Sequence, residues 1–334
     1  MKKLCVLVAV AALTGCGGGG GEDTLVVYSG REEELVAPLF ERFEEETGID
    51  VEVRYGDSAE LAATIAEEGD NSPADVFFAQ DPGSLGSVDG QLAVLPEGVL
   101  QRVDKRFRDA DGRWVGTSGR ARVIVYSTEE LTEDEVPDSV FDLTDAKWKG
   151  KVGIAPTNAS FQAFVTAMRL DVGEERTRRW LEDLKANNPK FYEKNTPVVE
   201  AAASGEIQLG LVNHYYLYLV KEELGDDAPI ANKYLPGEDP GALVSVAGAG
   251  VLEGAEHEDA AEQFVQFLLE RDQQRFYTEE AEEAEIPLVE GIRPRAGVPS
   301  LAELAGRGPN VDLSSFGAEL ERTLELLNET GYTS

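Results

Sequence analysis

The residues best suited to chemistry lie in one short run, Asn213-His214-Tyr215-Tyr216-Leu217-Tyr218. A deprotonated tyrosine is a hard, anionic oxygen donor matched to a hard, highly charged cation, and tyrosine ligates ferric iron in some haem proteins. Adjacent tyrosines cannot share one helix face, but at a first helical turn, or just before it, both phenols can point into one cleft. Upstream, Ile207, Leu209 and Leu211, with Gly210 among them, read as a short buried strand. A strand that runs into polar residues and then a helix places residues 213–216 at the carboxyl edge of a sheet, where open α/β sheets bind ligands. Taken alone, the stretch is explained more simply as aromatic packing with each hydroxyl bonded at the rim.

Composition removes most other chemistries. The only cysteines are Cys5 and Cys16 and the only histidines are His214 and His257. Disulfides, thiolate sites, cysteine nucleophiles and a multi-histidine zinc site are therefore excluded from the part that folds. A two-lobed enzyme such as a transferase finds no Ser-His-acid set, P-loop or dinucleotide glycine fingerprint to rest on, so the chain is expected not to be an enzyme. The formal net charge is −34, and it becomes −36 once Lys2 and Lys3 are removed with residues 1–15, leaving 28 basic against 64 acidic residues. Such a surface opposes nucleic acid and anionic lipid headgroups, and it keeps the chain soluble. It attracts cations in general without defining a metal site.

The 334 residues suffice for two domains behind a leader. Lys2-Lys3, an apolar run and Leu13-Thr14-Gly15-Cys16 describe a secretory signal over residues 1–15, too short to span a membrane. The last four residues also form a lipobox, with Cys16 as the lipidated first residue of the mature chain. An ordinary signal cut nearby would leave an unpaired thiol, a liability outside the cell. Residues 16–23, with glycines 17–21, make a flexible tether. The expected product is an extracytoplasmic monomer, held to the bacterial cell membrane through its lipid alone.

The elements that position the tyrosines begin with a strand, Thr24–Ser29. A helix over residues 32–46 follows, with Leu35, Leu39 and Phe43 on one stripe and Gly48 ending it. Ile49, Val51, Val53 and Tyr55 alternate as a second strand. This β-α-β opening sets Ser29, Gly30 and Arg31 at a sheet edge and helix N-terminus, an anion site. Arg31 is otherwise a solvated first-turn charge, although a cation there opposes the helix dipole and so points to an anionic partner. Asp57-Ser58 caps a helix that closes near Gly69, and residues 72–79 form a strand with Gln80 and Asp81 at its tip. A basic patch covers residues 102–108, and residues 121–126 form a strand crossing between domains. The pattern then restarts with a strand at 152–155 and a helix whose start holds Asn158, Ala159 and Ser160, where capping alone explains the polar residues. Helices at Glu174–Ala186 and 197–204, with Asn195 just before the second, lead back to the tyrosines. An apolar strand at 242–251, a helix at 258–270, a polar helix at 271–285, a loop at 286–294 and mostly surface helix at 301–330 complete the chain.

Several segments, in order, resemble one family. They are Val27-Tyr28-Ser29-Gly30-Arg31, Ser72-Pro73-Ala74-Asp75-Val76-Phe77, Ser118-Gly119-Arg120-Ala121-Arg122-Val123, Trp148-Lys149-Gly150-Lys151, Pro156-Thr157-Asn158, Asn213-His214-Tyr215-Tyr216 and Val246-Ala247-Gly248-Ala249. From residue 24 onward the chain is similar to the ferric-ion-binding proteins of bacterial iron ABC importers, the paired tyrosines being the specific part. The resemblance implies an α/β type II periplasmic-binding-protein fold, two α/β lobes with a hinge and an interlobe cleft. Lobe 1 would hold residues 24–119 and about 245–290, and lobe 2 residues 120–244 and about 291–334. It further implies that Tyr215 and Tyr216 bind Fe(III) as phenolates, that a synergistic anion such as carbonate or phosphate completes the coordination, and that an inner-membrane ABC permease receives the iron. By position, Ser29, Gly30, Arg31, Gln80, Asp81, Arg120, Asn158, Ala159, Ser160, Asn195 and Asn213 would hold the anion or shape the cleft.

The first lobe departs from the family pattern. Arg31 stands where some members use a histidine, Gln80 where others have a carboxylate, and no tyrosine accompanies Ser160. A first lobe that offers a cation to the anion fits these departures. The same fold could instead bind an organic cation, such as thiamine or a polyamine, between stacked aromatics, or be a sensor with a degenerate cleft.

Overall fold

The computed structural model describes residues 24–279 and 284–333; the leader, Cys16 and the glycine tether lie outside the described residues. β1 (Thr24–Ser29) pairs in parallel with β2 (Asp50–Tyr55) and β3 (Val76–Ala79), and α1 (Glu33–Thr47) and α2 (Ser58–Glu68) make the crossovers. β2 lies at the edge and alternates exposed with half-buried residues, whereas β3 is buried throughout, as a strand covered on both faces must be. Gly48 ends α1 at φ 75°, the left-handed cap for which glycine is suited. α3 (Pro82–Ser87) starts directly at the tip of β3, and α4 (Glu97–Leu100) follows in the next connection.

β4 (Val115–Ser127) organises the molecule. All 13 of its residues are buried, and it reaches further back than the strand read at 121–126. Beyond it come β5 (Val152–Ile154), β6 (Lys190–Phe191), β7 (Leu209–Asn213), β8 (Ile230–Lys233), β9 (Val244–Val251) and β10 (Ile286–Pro287). Up to Ala121, β4 pairs with β9 and β10; from Arg122 it pairs with β7 and β8. β9 lies between β3 and the first half of β4, so β4 is the strand that runs from one block into the other. Each block keeps its parallel core, β1 with β2 and β3 in the first and β5 with β6 and β7 in the second.

Helices cover both blocks. α5 (Ala159–Val172), α6 (Glu174–Ala186), α7 (Asn195–Ala203) and α8 (Tyr216–Leu224) belong to the second; α9 (Glu258–Leu268) and α10 (Arg271–Glu279) return to the first, where Phe264 stacks on Phe40 with ring centroids 5.4 Å apart. α11 (Leu301–Leu304) is short. α12 (Phe316–Glu329) touches both blocks. A Cβ on its Gly317 would lie 2.2 Å from the Gly86 carbonyl carbon of α3, and its Thr323 Oγ1 is 2.7 Å from Thr166 Oγ1 of α5.

Two expectations are corrected. Residues 271–285 are not one polar helix, because Glu285 lies outside any helix, just before β10, with none of its surface exposed, drawn in by two arginines. Residues 301–330 are not continuous helix either: α11 and α12 are separated by a loop and a short turn, and Phe316, Leu326 and Leu327 turn the inner side of α12, otherwise a surface helix, into the core. Among the described residues no helix is long and apolar enough to cross a membrane.

Candidate metal centre

β7 ends at Asn213 and α8 begins at Tyr216, so the tyrosines stand at the strand-to-helix turn their sequence implied. His214 braces this turn. Its Nδ1 accepts the Ala121 N–H at 3.2 Å, its Nε2 lies 3.0 Å from the Ala284 carbonyl, and its own carbonyl accepts from Asn232 Nδ2 at 2.7 Å. Burial pushes its pKa down to about 4, so the ring is neutral at pH 7 with both nitrogens committed to the backbone. The Tyr215 and Tyr216 rings lie with centroids 4.4 Å apart at 33° and line one cavity, Tyr215 buried and Tyr216 half-buried.

Gln80, Asp81, Arg120, Asn158, Ala159, Ser160 and Asn213 line the same cavity, which measures about 20 Å³, water-sized to ion-sized rather than drug-sized. The N-terminus of α5 supplies one wall. Asn158 Oδ1 accepts from the Ser160 N–H at 3.0 Å and from the Ser160 hydroxyl at 2.6 Å. Asn195 stands behind that wall, its Nδ2 donating to Asn158 Oδ1 at 3.0 Å and to Ser160 Oγ at 3.1 Å.

Sequence reasoning passed over Arg122, which lines the cavity with Ala163, Leu243 and Ser245. Its guanidinium donates to Ser160 Oγ at 3.1 Å, to Asn213 Oδ1 at 3.4 Å and to the Leu211 carbonyl at 2.8 Å. Burial pushes it down to about 9 against the opposing pull of Tyr216 and Tyr215, so it carries its charge at neutral pH. The signal is in the sequence: residues two apart on a strand share a face, and Arg122 stands two residues from Arg120. Among the described residues, Arg122 Nε and Asn195 Oδ1 lack a hydrogen-bond partner although both are buried.

The first block contributes less directly. Asp81 caps α3, its carboxylate accepting the Ser84 N–H at 2.9 Å and the Ser84 hydroxyl at 2.8 Å, and burial raises its pKa against those bonds and the Arg120 charge. The Gln80 carbonyl accepts Arg120 Nη1 at 2.8 Å. Ser29, Gly30 and Arg31 do not line the cavity. Gly30 packs on Ser58, where a Cβ would meet Oγ at 2.0 Å, and that hydroxyl in turn accepts the Gln80 N–H at 3.0 Å, so this corner supports the first-block wall from beneath. Arg31 is only 2% exposed, so it is not a solvated charge. Its Nη2 lies 3.1 Å from Glu285 Oε2, while Glu285 Oε1 is 2.6 Å from Arg120 Nε. Burial alone would raise the Glu285 carboxyl, but Arg120 and Arg31 overcome it and hold it at about 2. Glu285 gave no sequence signal, being one acid in an acid-rich run. Among the described residues no three His, Cys, Asp or Glu side chains gather as a metal site.

Two α/β blocks that share the long strand β4 beside a polar cavity define the two-lobed periplasmic-binding-protein fold. Residues 71–291 match the sequence model of bacterial extracellular solute-binding proteins. The Fe(3+)-binding periplasmic protein of Serratia marcescens is 32% identical over 92% of this chain and 90% of its own. Iron-bound HitA from Pseudomonas aeruginosa is 33% identical with a TM-score of 0.85, covering 92% of this chain and 99% of HitA. Trichodesmium IdiA (FutA), in complex with iron and citrate, is 27% identical with a TM-score of 0.79, covering 93% of this chain and all (100%) of that one. The chain belongs to the bacterial ferric-ion-binding proteins, within the extracellular solute-binding proteins. Its relatives are binding proteins rather than enzymes, and solute-binding proteins of this family work outside the cytoplasm with ABC permeases.

Proposed function

We propose that the protein captures Fe(III) through the phenolates of Tyr215 and Tyr216, with a small anion such as carbonate or phosphate completing the coordination, and delivers it to an ABC permease. The observation that carries this reading is the pair of tyrosine rings, 4.4 Å apart, lining one small cavity together with the buried Arg122 cation. A free phenol loses its proton near pH ~10, so iron must displace a proton from each tyrosine, which a trivalent charge can do. The positive charge of Arg122 favours the same deprotonation. For the anion, the N-terminus of the 14-residue α5 with Asn213 and Arg122 offers donors in the arrangement anions prefer, and Arg120 adds a second cation to the cavity wall. Two guanidiniums in a cavity this small weigh against thiamine or a polyamine.

The lobes are proposed to divide within β4, close to where it changes partners, residues 24–119 with about 245–290 against 120–244 with about 291–334, so that closure would bring Gln80 and Asp81 toward the tyrosines. A lipid on Cys16 would keep the monomer beside its permease.

The test is colour. Iron-loaded protein should show the visible charge-transfer band of a tyrosinate complex. Tyr215→Phe and Tyr216→Phe should each shift the band and cut affinity severely, because phenylalanine keeps the ring and removes only the donor. Tyr218→Phe should do little, since Tyr218 lies against Arg295 and does not line the cavity. If both cavity variants stay coloured and hold iron like the parent, the rings are packing and the reading fails.

A further inference from the structure

Arg120 is a long, flexible cation that lines the cavity, yet its guanidinium is held from outside. Glu285 Oε1 takes Arg120 Nε at 2.6 Å, and this fixes the plane of the fork so that Nη1 reaches the Gln80 carbonyl at 2.8 Å. In that orientation the Arg120 Cζ stands 5.5 Å from the centre of the Tyr215 ring. Glu285 itself is fully buried and does not line the cavity. Its second oxygen holds Arg31, which is equally remote from the ligand space.

We propose that Glu285 is a positioning residue for iron binding: through Arg120 it sets where a positive charge faces the Tyr215 phenol. The inference rests on the ferric reading above and adds the segment before β10 to the site. The physical argument has two parts. A buried guanidinium without a counter-charge is costly, and Glu285 supplies a counter-charge to Arg120 beside Tyr215. A cation over an aromatic ring is attracted to it, more strongly still once the ring carries a phenolate, so the placement of Arg120 tunes the donor strength of Tyr215. Partners that orient a metal's direct ligands in this way typically change affinity by about 10–100-fold when lost.

Three variants separate positioning from mere stability, with Tyr215→Phe as the check on the ferric reading itself. Glu285→Gln keeps the shape and removes the charge; it should weaken iron retention by about 10–100-fold and move the visible band. Arg31→Met opens the same buried cluster but leaves Glu285 on Arg120, so it should lower the melting temperature and keep the parent's band and affinity. The double variant Arg31→Met/Glu285→Gln removes the repulsion between neighbouring arginines; it should fold even where Glu285→Gln does not, and still show the moved band and weakened binding. The proposal is overturned if either Glu285→Gln protein binds iron with the parent's band and affinity. It is equally overturned if Arg31→Met loses as much as Glu285→Gln, or if the double variant also fails to fold, for then Glu285 serves the fold alone. Tyr215→Phe that stays coloured and iron-loaded would remove the ferric reading and this inference with it. Sensitivity to Tyr215→Phe with indifference to Glu285→Gln would remove only the positioning role.

Discussion

Acidification should weaken the metal-free protein through the residue that braces the tyrosine turn. His214 has no exposed surface, and its two ring nitrogens are spent on the Ala121 N–H and the Ala284 carbonyl. Burial lowers its pKa from 6.5 to about 4, with the two backbone bonds opposing the shift only in part. The unfolded chain therefore takes up a proton near 6.5, while the folded chain refuses it until about 4. Because the folded value is the depressed one, the stabilisation is complete above pH 6.5 and drains away as pH falls toward 4, below which both states are protonated. At about 1.4 kcal/mol per unit the whole gap is worth about 3 kcal/mol, of which about 2 kcal/mol is gone by about pH 4.5. Urea unfolding of the metal-free parent and of His214→Gln, each at about pH 7.5 and about pH 4.5, isolates this contribution, since the carboxylates titrate alike in both proteins. The parent should lose about 2 kcal/mol more than the variant between the two conditions. The variant should also be weaker at the higher pH, because one amide cannot reach both backbone partners. Equal losses in the two proteins would refute a neutral, buried His214.

The contact between α3 and α12 predicts that Gly317→Ala is destabilising, because the new methyl would meet Gly86 backbone at 2.2 Å. A loss of about 1–3 kcal/mol in thermal or urea unfolding is expected, and an unchanged midpoint would contradict so close an approach. At the other end of the chain, mass spectrometry of the membrane-extracted protein should find a diacylglyceryl-modified Cys16 as its first residue, two acyl chains being what stable anchoring requires. A mature terminus elsewhere, without lipid, would refute the anchor.

Local patterns carried much of the architecture. β2 and α1 fall within a residue of where alternation and helical period place them, and the run from Leu209 through Tyr216 is strand, turn and helix start as its residue types suggest. Contacts between distant segments were harder to read. Arg31 is a cation at a helix N-terminus, from which an anionic partner follows; the structure supplies one from within the chain, Glu285, 254 residues away. Nothing near Glu285 separates it from the surrounding acids, because its burial depends on Arg31 and Arg120 arriving from distant segments of the chain. Arg122 was within reach, since it alternates with Arg120 along β4. The inner side of α12 was hidden by its mixture of leucine and glutamate, whose buried face is decided by the two helices it packs against.

The central claim is that Tyr215 and Tyr216 are both iron ligands, and anomalous diffraction from iron-loaded crystals at the iron absorption edge tests it most directly. The account predicts one strong anomalous peak in the cavity, within bonding distance of both phenolic oxygens. An iron peak elsewhere, or in the cavity but bonded to neither tyrosine, would contradict it.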